Sequence, residues 1–254
     1  MSHAWAWDEL DGPARLWSTL AGLGLQQLAA ARRLILAREL DGANLVGARL
    51  VQTELRGISL RGARLDGADL RKADLDAAQL DGAVLARANL SWVEGEGVSL
   101  VGALLAGADL TEAALPGARA EGADFEGAIA NRAALPGGSL AQARLVDALF
   151  ESADLHGADL RGAYLTGAQL PLCDLGGADL REAVLKRCDL RGADLEGARL
   201  DGALLEGALL GAAADGASLG TPLSTRTPAP APSEAQLASA RWRTLIIDGI
   251  ERTR

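Results

Sequence analysis

The amino-acid sequence predicts an all-β solenoid, and three regularities carry that prediction. From Leu40 to Leu210, 32 of the 35 residues spaced five apart are Leu or Phe; the exceptions are Gly95, Ala120 and Ala130. Two residues before each centre, from Ala43 to Ala208, alanine fills 27 of 34 positions. Two residues after each centre glycine is the usual choice, as at Gly42, Gly62, Gly107 and Gly192. A period of five matches neither a 3.6-residue helix nor the two-residue alternation of a half-buried strand. It points instead to a repeat architecture.

Each regularity has a physical reason. One large and one small inward residue per five suit a narrow core, with Leu filling it and Ala letting the opposite wall approach. Glycine supplies the positive φ of a tight bend at little cost. Four bent five-residue sides close a square coil, so each Leu lies above the Leu 20 residues earlier. One coil cannot bury its own faces, and stability must come from stacking. Thirty-five units make nearly nine coils, a rod about 40 Å long at roughly 4.8 Å per coil. The register weakens at Ser91–Val98 and at Pro116–Gly138 without losing its phase. A loop extruded near Gly95 or Pro136 would therefore hold a multiple of five residues and turn everything after it by a quarter turn.

An open stack exposes core leucines and unpaired backbone at both ends, so caps are expected. The sequence divides into an N-terminal helical cap (1–37), the repeats (38–219), a Pro-rich linker (220–233) and a C-terminal amphipathic helix (234–254). Pro13 suits a helix start. Ser233 with Gln236 forms a capping-box pattern, and Trp242, Leu245, Ile246 and Ile250 fall on one stripe of the helix expected there. That stripe must dock on the last coil or on a second copy of the chain.

Composition excludes several classes of function. Of 254 residues 49% are hydrophobic but only 3% aromatic, so the core is Leu and Ala. The net charge is −9, and residues 41–219 hold 27 Asp and Glu against 16 Lys and Arg. An acidic body argues against direct nucleic-acid binding, which needs Lys and Arg. Two cysteines, Cys173 and Cys188, make neither a disulfide framework nor a metal cluster, and both occupy the inward small-residue slot. His3 and His156 have no nucleophile or metal partner in the repeat. No catalytic constellation, cofactor motif, signal peptide or membrane span is evident, so a cytoplasmic non-enzyme is expected.

What remains is the pattern of surface charge. Centres 20 apart share a face. The face centred on Leu55, Leu75, Leu155, Leu175 and Leu195 collects Glu54, Asp74, Asp76, Glu94, Glu96, Asp154, Asp174, Asp194 and Glu196, opposed only by Arg56 among the positions sorted. These side chains are expected to point to solvent, so reversing them should leave the fold intact. The face centred on Leu65 instead turns out Val84, Leu104, Tyr164, Val184 and Leu204. The other two faces mix signs. The acidic face is either a solvated side that keeps the rod soluble or a binding surface.

The unit A-(D/N/R)-L-x-G, plain in Ala68–Asp69–Leu70 and Ala158–Asp159–Leu160, resembles the pentapeptide-repeat family over residues 38–214. The resemblance implies a right-handed quadrilateral β-helix. Members of the topoisomerase-protecting, quinolone-resistance type are acidic rods thought to occupy the DNA-binding saddle of DNA gyrase or topoisomerase IV. By that resemblance the nine acidic residues would contact a basic protein groove in place of DNA. Several members dimerise through their C-terminal ends, so a homodimer is one outcome for the final segment. Gyrase-active members often carry projecting loops, and none breaks the phase here. The alternative is a structural or interaction scaffold, and most members have no known activity.

Overall fold

The computed structural model describes residues 40–211, 236–237, 240, 244–247 and 250–253. The expected N-terminal helical cap and Pro-rich linker lie outside them. From 40 to 210 the chain winds in coils of 20 residues. Parallel bridges join each residue before a centre to its counterpart one coil on, from Asn44↔Arg64 to Asp189↔Leu209 without a gap. The bridges Glu94↔Ala114 and Ala134↔Asp154 run through both weak stretches. No five-residue loop is extruded near Gly95 or Pro136, and the faces keep their phase along the whole rod. Each side holds one bridged residue between two turns rather than an extended strand, so the β character lies in the stacking.

The repeat's residue types follow from where its backbone hydrogen bonds go. Each centre donates to the carbonyl before the next centre up, as Leu45 N–H does to Arg64 O at 2.7 Å. The residue before a centre donates down, Arg64 N–H to Ala43 O at 2.8 Å. The corner residue donates up, Gly42 N–H to Arg61 O at 2.8 Å, and the inward Ala closes the turn, Ala43 N–H to Leu40 O at 3.1 Å. That leaves the N–H just after the centre. An Asp or Asn just before the centre takes it: Asp69 Oδ1 accepts from Arg71 N–H at 3.3 Å, and Asn89 Oδ1 from Ser91 N–H at 3.0 Å. Elsewhere the Asp or Asn of the previous coil does so, as Asn131 Oδ1 does for Glu151 N–H at 2.9 Å. The aspartates just before a centre are thus turn caps of the Asx type.

The Leu and Ala ladders are buried along the whole rod. Irregular centres compensate one another. Phe125 lies in the same coil as Ala120 and Ala130, and Phe150 lies one coil beyond Ala130 on the same face; both phenylalanines are fully buried. At Gly95 a Cβ would come within 2.8 Å of Leu115 Cδ2, so Leu115 occupies the space that a leucine at 95 would fill. Volume is conserved locally, as a close-packed core requires.

Every corner residue from 42 to 207 has positive φ, whatever its identity. With the turn bond from Ala43 to Leu40 this is the type II pattern. Thirteen corners are not glycine. Each of these holds an L-residue in the left-handed region at a cost of about 1 kcal/mol, which the stacking on either side must offset.

Both cysteines are free and buried. Burial pushes the Cys173 thiol well up, and pushes Cys188 up to about 12. Cys188 Sγ also donates to Leu165 O at 2.6 Å. Neither forms a reactive thiolate at neutral pH. Native protein is expected to resist alkylation by iodoacetamide and to label at both cysteines in guanidinium; fast labelling of the native state would contradict the core assignment.

The C-terminal segment corrects the sequence reading. Among its described residues only Gln236 and Leu237 are helical. Beyond them lie strands. β1 (Leu209–Leu210) closes the last coil, β2 (Thr244–Ile247) pairs with it in parallel, and β3 (Ile250–Thr253) pairs antiparallel with β2. Leu245 and Ile246 therefore belong to β2 and Ile250 to β3, not to a helix stripe; Trp242 is outside the described residues. The last coil offers an unpaired backbone edge, and Thr-Leu-Ile-Ile is suited to a strand. Pairing with that edge outweighs the helical periodicity. The dipeptide between the paired ends, Asp248–Gly249, is the sequence signal for a two-residue hairpin. Gln236 Nε2 donates to the carbonyls of Leu195 at 2.8 Å and Ala198 at 3.2 Å, and Leu237 and Ala240 are buried. This segment caps the stack.

Candidate functional site

The faces differ in how they treat the capping aspartate. On the Leu60 and Leu70 faces the capped residue is often arginine, and its guanidinium folds back onto the carboxylate that caps it. Arg71 reaches Asp69 at 2.8 Å, Arg161 reaches Asp159 at 2.6 Å, and Arg181 and Arg191 reach Asp179 and Asp189 at 2.5 Å. The bidentate Arg71, Arg161 and Arg181 hold Asp69, Asp159 and Asp179 below the usual carboxylate range. These charges neutralise one another on the rod. A carboxylate with a depressed folded-state pKa contributes stability above its unfolded value of about 4, and that contribution is lost as pH falls through the folded value. The melting temperature should therefore fall as pH drops from 5 towards 2. The fall should be shallower in an Asp159→Asn, Asp179→Asn variant, and equal slopes would show that these clamps contribute nothing.

The Leu55 face seldom places arginine after its centres. After its centres come Asp76, Glu96, His156, Gly176 and Glu196 instead of arginine. Arg56 is the exception, and it meets Asp74 at 2.8 Å and Asp76 at 3.0 Å. His156 Nδ1 lies 3.5 Å from Asp174 Oδ1, over Gly176, where a Cβ would come within 2.9 Å of that nitrogen. The bridges place Glu54, Asp74 and Glu94 in one column and Asp154, Asp174 and Asp194 further along the same column. Ala114 and Ala134 stand between them, each followed two residues on by Pro116 or Pro136. The nine predicted residues thus share one face, as two acidic patches flanking a neutral waist of two coils.

The structure also changes what these residues are. Asp74, Asp154, Asp174 and Asp194 cap the N–H groups of Asp76, His156, Gly176 and Glu196 at 2.9–3.1 Å. Asp76 Oδ1 accepts from Glu96 N–H one coil up at 2.8 Å. The side chains of Asp74 and Asp174 are only 23% and 26% exposed. The expectation that charge reversal here leaves the fold untouched is corrected: lysine would remove a turn cap, at about 1 kcal/mol per site. Glu54, Glu94, Glu96 and Glu196 are exposed. The apolar column on the Leu65 face is interrupted in the same way. Val84 and Leu104 are separated from Tyr164, Val184 and Leu204 by Asp124 and Arg144.

Among the described residues no group of His, Cys, Asp or Glu is placed to hold a metal ion, and no helix is long and apolar enough to cross a membrane.

A stack of five-residue sides, four to a coil, defines a repeat β-helix protein. This chain belongs to the pentapeptide-repeat family, whose eight repeat matches run from residue 39 to 207. Among solved structures it is similar to QnrB1, a plasmid-mediated fluoroquinolone resistance protein, at 23% identity and a TM-score of 0.53 over 66% of this chain and 86% of that one. It is also similar to HetL from the cyanobacterium Nostoc sp. strain PCC 7120, a pentapeptide repeat protein involved in heterocyst differentiation regulation. There the identity is 28% and the TM-score 0.43, over 91% of this chain and 100% of that one. A third similar structure is a thylakoid-lumen pentapeptide repeat protein from Arabidopsis thaliana, at 36% identity and a TM-score of 0.29 over 29% of this chain and 51% of that one. No curated protein sequence matches the chain.

Proposed function

We propose that the protein is a cytoplasmic, non-enzymatic DNA mimic that binds a type II topoisomerase, DNA gyrase foremost, and alters its response to inhibitors. The observation that supports this reading is the Leu55 face. There, Arg56 apart, the repeat keeps its acidic residues and places Asp, Glu, His, Gly or Pro where two other faces often place arginine. A surface of that kind suits a basic groove built for phosphates, and association should be steered by charge and weakened by salt. The test is gyrase supercoiling with and without a fluoroquinolone, over a series of protein concentrations. Relief of the drug, or inhibition that fades between about 50 and 300 mM salt, is expected. No effect at low salt and high concentration would end the reading. A second reading, an interaction scaffold, is favoured by Tyr164, Val184 and Leu204, which put a short apolar ladder on another face. It predicts a partner whose binding is insensitive to salt.

A further inference from the structure

The two edges that border the acidic face differ in a way that neither space nor backbone geometry requires. The edge after the Leu55-face centres carries Gly57, Ala77, Gly97, Gly117, Gly137, Gly157, Gly177 and Gly197. The edge before that face carries Gln52, Lys72, Trp92, Glu112, Arg132, Ser152 and Leu172, with glycine only at 192. All of these residues have φ between +53° and +71°. On the bare edge a Cβ would meet nothing within 4 Å at Gly57, Gly97, Gly117, Gly137, Gly157 or Gly177. Side chains would fit there, and glycine would relieve the left-handed backbone on the other edge. Yet more than half of the rod's thirteen non-glycine corners stand on one edge. Left-handed backbone kept at side-chain-bearing positions, where glycine is the sequence's usual choice, is the mark of a functional constraint.

The ridge carries two large apolar side chains held out to solvent. Trp92 is 51% exposed and Leu172 is 42% exposed. Trp92 borders the first acidic patch, two residues before Glu94. Leu172 borders the second, beside Asp174. Four coils separate them, about 19 Å. Their backbones are pinned by the stack, Trp92 N–H to Thr111 O and Leu172 N–H to Arg191 O, both at 3.0 Å. An exposed tryptophan on a rigid backbone loses little freedom on binding, and tryptophan is enriched among residues that dominate interfaces.

We propose that this ridge orients the acidic face on its partner. A basic protein groove lies against the two acidic patches and reaches the rod closely over the bare glycine edge. Trp92 and Leu172 enter apolar pockets on the groove's opposite wall. Charge then supplies attraction, and the ridge decides which way round the rod sits. The proposal rests on the topoisomerase reading for the identity of the groove, and takes its geometry from the two unequal edges.

The test uses the full chain, with purified DNA gyrase as the probe. Trp92→Gly with Leu172→Gly should weaken binding about tenfold, while the melting temperature stays the same or rises, because glycine suits the left-handed corner. A role in stability alone predicts the opposite, a lower melting temperature with unchanged affinity. On the other edge, Gly97→Gln adds a side chain in open space, at a corner conformation that glutamine already adopts at 52 and 142. It should also weaken binding, by obstructing close approach. The same substitution at Gly62, on an edge remote from the acidic face, should not. If the double glycine variant binds within twofold of the native chain, the ridge is not a contact and the proposal is overturned, while the acidic-face reading stands. If the native chain itself does not bind gyrase, the topoisomerase reading fails and this proposal with it.

Discussion

Replacing Leu160 by aspartate is expected to unfold the protein or to lower its melting temperature by tens of degrees. Leu160 is fully buried at mid-rod, in a column with Leu140 and Leu180, and its N–H donates to Asp179 O at 2.8 Å. Aspartate would remove a large apolar side chain and place a carboxylate where neither water nor a donor reaches it. The cavity and the buried polar group each cost several kcal/mol, against a total stability of about 5–15 kcal/mol for a domain. A solenoid concentrates the damage, because each coil touches only its neighbours and a broken layer separates the two halves. Leu160→Ala isolates the cavity term and should cost about 2–5 kcal/mol. Thermal melts of both variants by circular dichroism check the result. A Leu160→Asp protein melting at the native temperature would contradict the ladder.

The second large effect concerns binding. Changing Asp74, Asp154, Asp174 and Asp194 together to asparagine is expected to weaken association with gyrase roughly 100-fold at low salt. Four charge contacts at about 0.7 kcal/mol each give that figure. Asparagine is the informative substitution because it removes the charge and keeps the turn cap, as Asn89 already does for Ser91. Lysine at these sites would confuse loss of binding with loss of a turn. The matched control changes Asp69, Asp109, Asp159 and Asp179 to asparagine. These also cap turns, and three of them are paired with arginine. Both variants lose four negative charges, so equal weakening would show that only total charge matters. A deficit confined to the first variant places the contact on the Leu55 face.

The acidic face was legible in the sequence because a strict period of 20 assigns each outward residue to a face by arithmetic. Its division into two patches was equally legible in Ala114 and Ala134, once those positions are read as part of the same column. The unequal edges were legible too, by sorting the corner residues rather than the outward ones. What arithmetic could not supply was the bonding. Asp74 and Glu94 are equivalent in charge and place, yet Asp74 is of the length that reaches the next N–H and so is also a turn cap. Distinguishing a carboxylate that holds the backbone from one that only faces solvent needs the coordinates.

The repeats themselves were determined by sequence alone. Leu, Ala and glycine recurring at fixed positions every five residues satisfy core, wall and corner locally, so each unit specifies its own conformation and the stack follows by repetition. The tertiary structure decided the places where a residue's state depends on something distant in the chain. It showed that the phase passes Gly95 and Pro136 without a loop, because Glu94 bridges to Ala114 and Ala134 to Asp154. It also decided the fate of the last segment. Residues 244–247 carry both helical periodicity and strand-forming side chains, and nothing local separates the two. The open backbone edge at Leu209 and Leu210 pairs with Ile246 and Ile247, and a strand satisfies that edge where a helix would leave its N–H and C=O groups without partners.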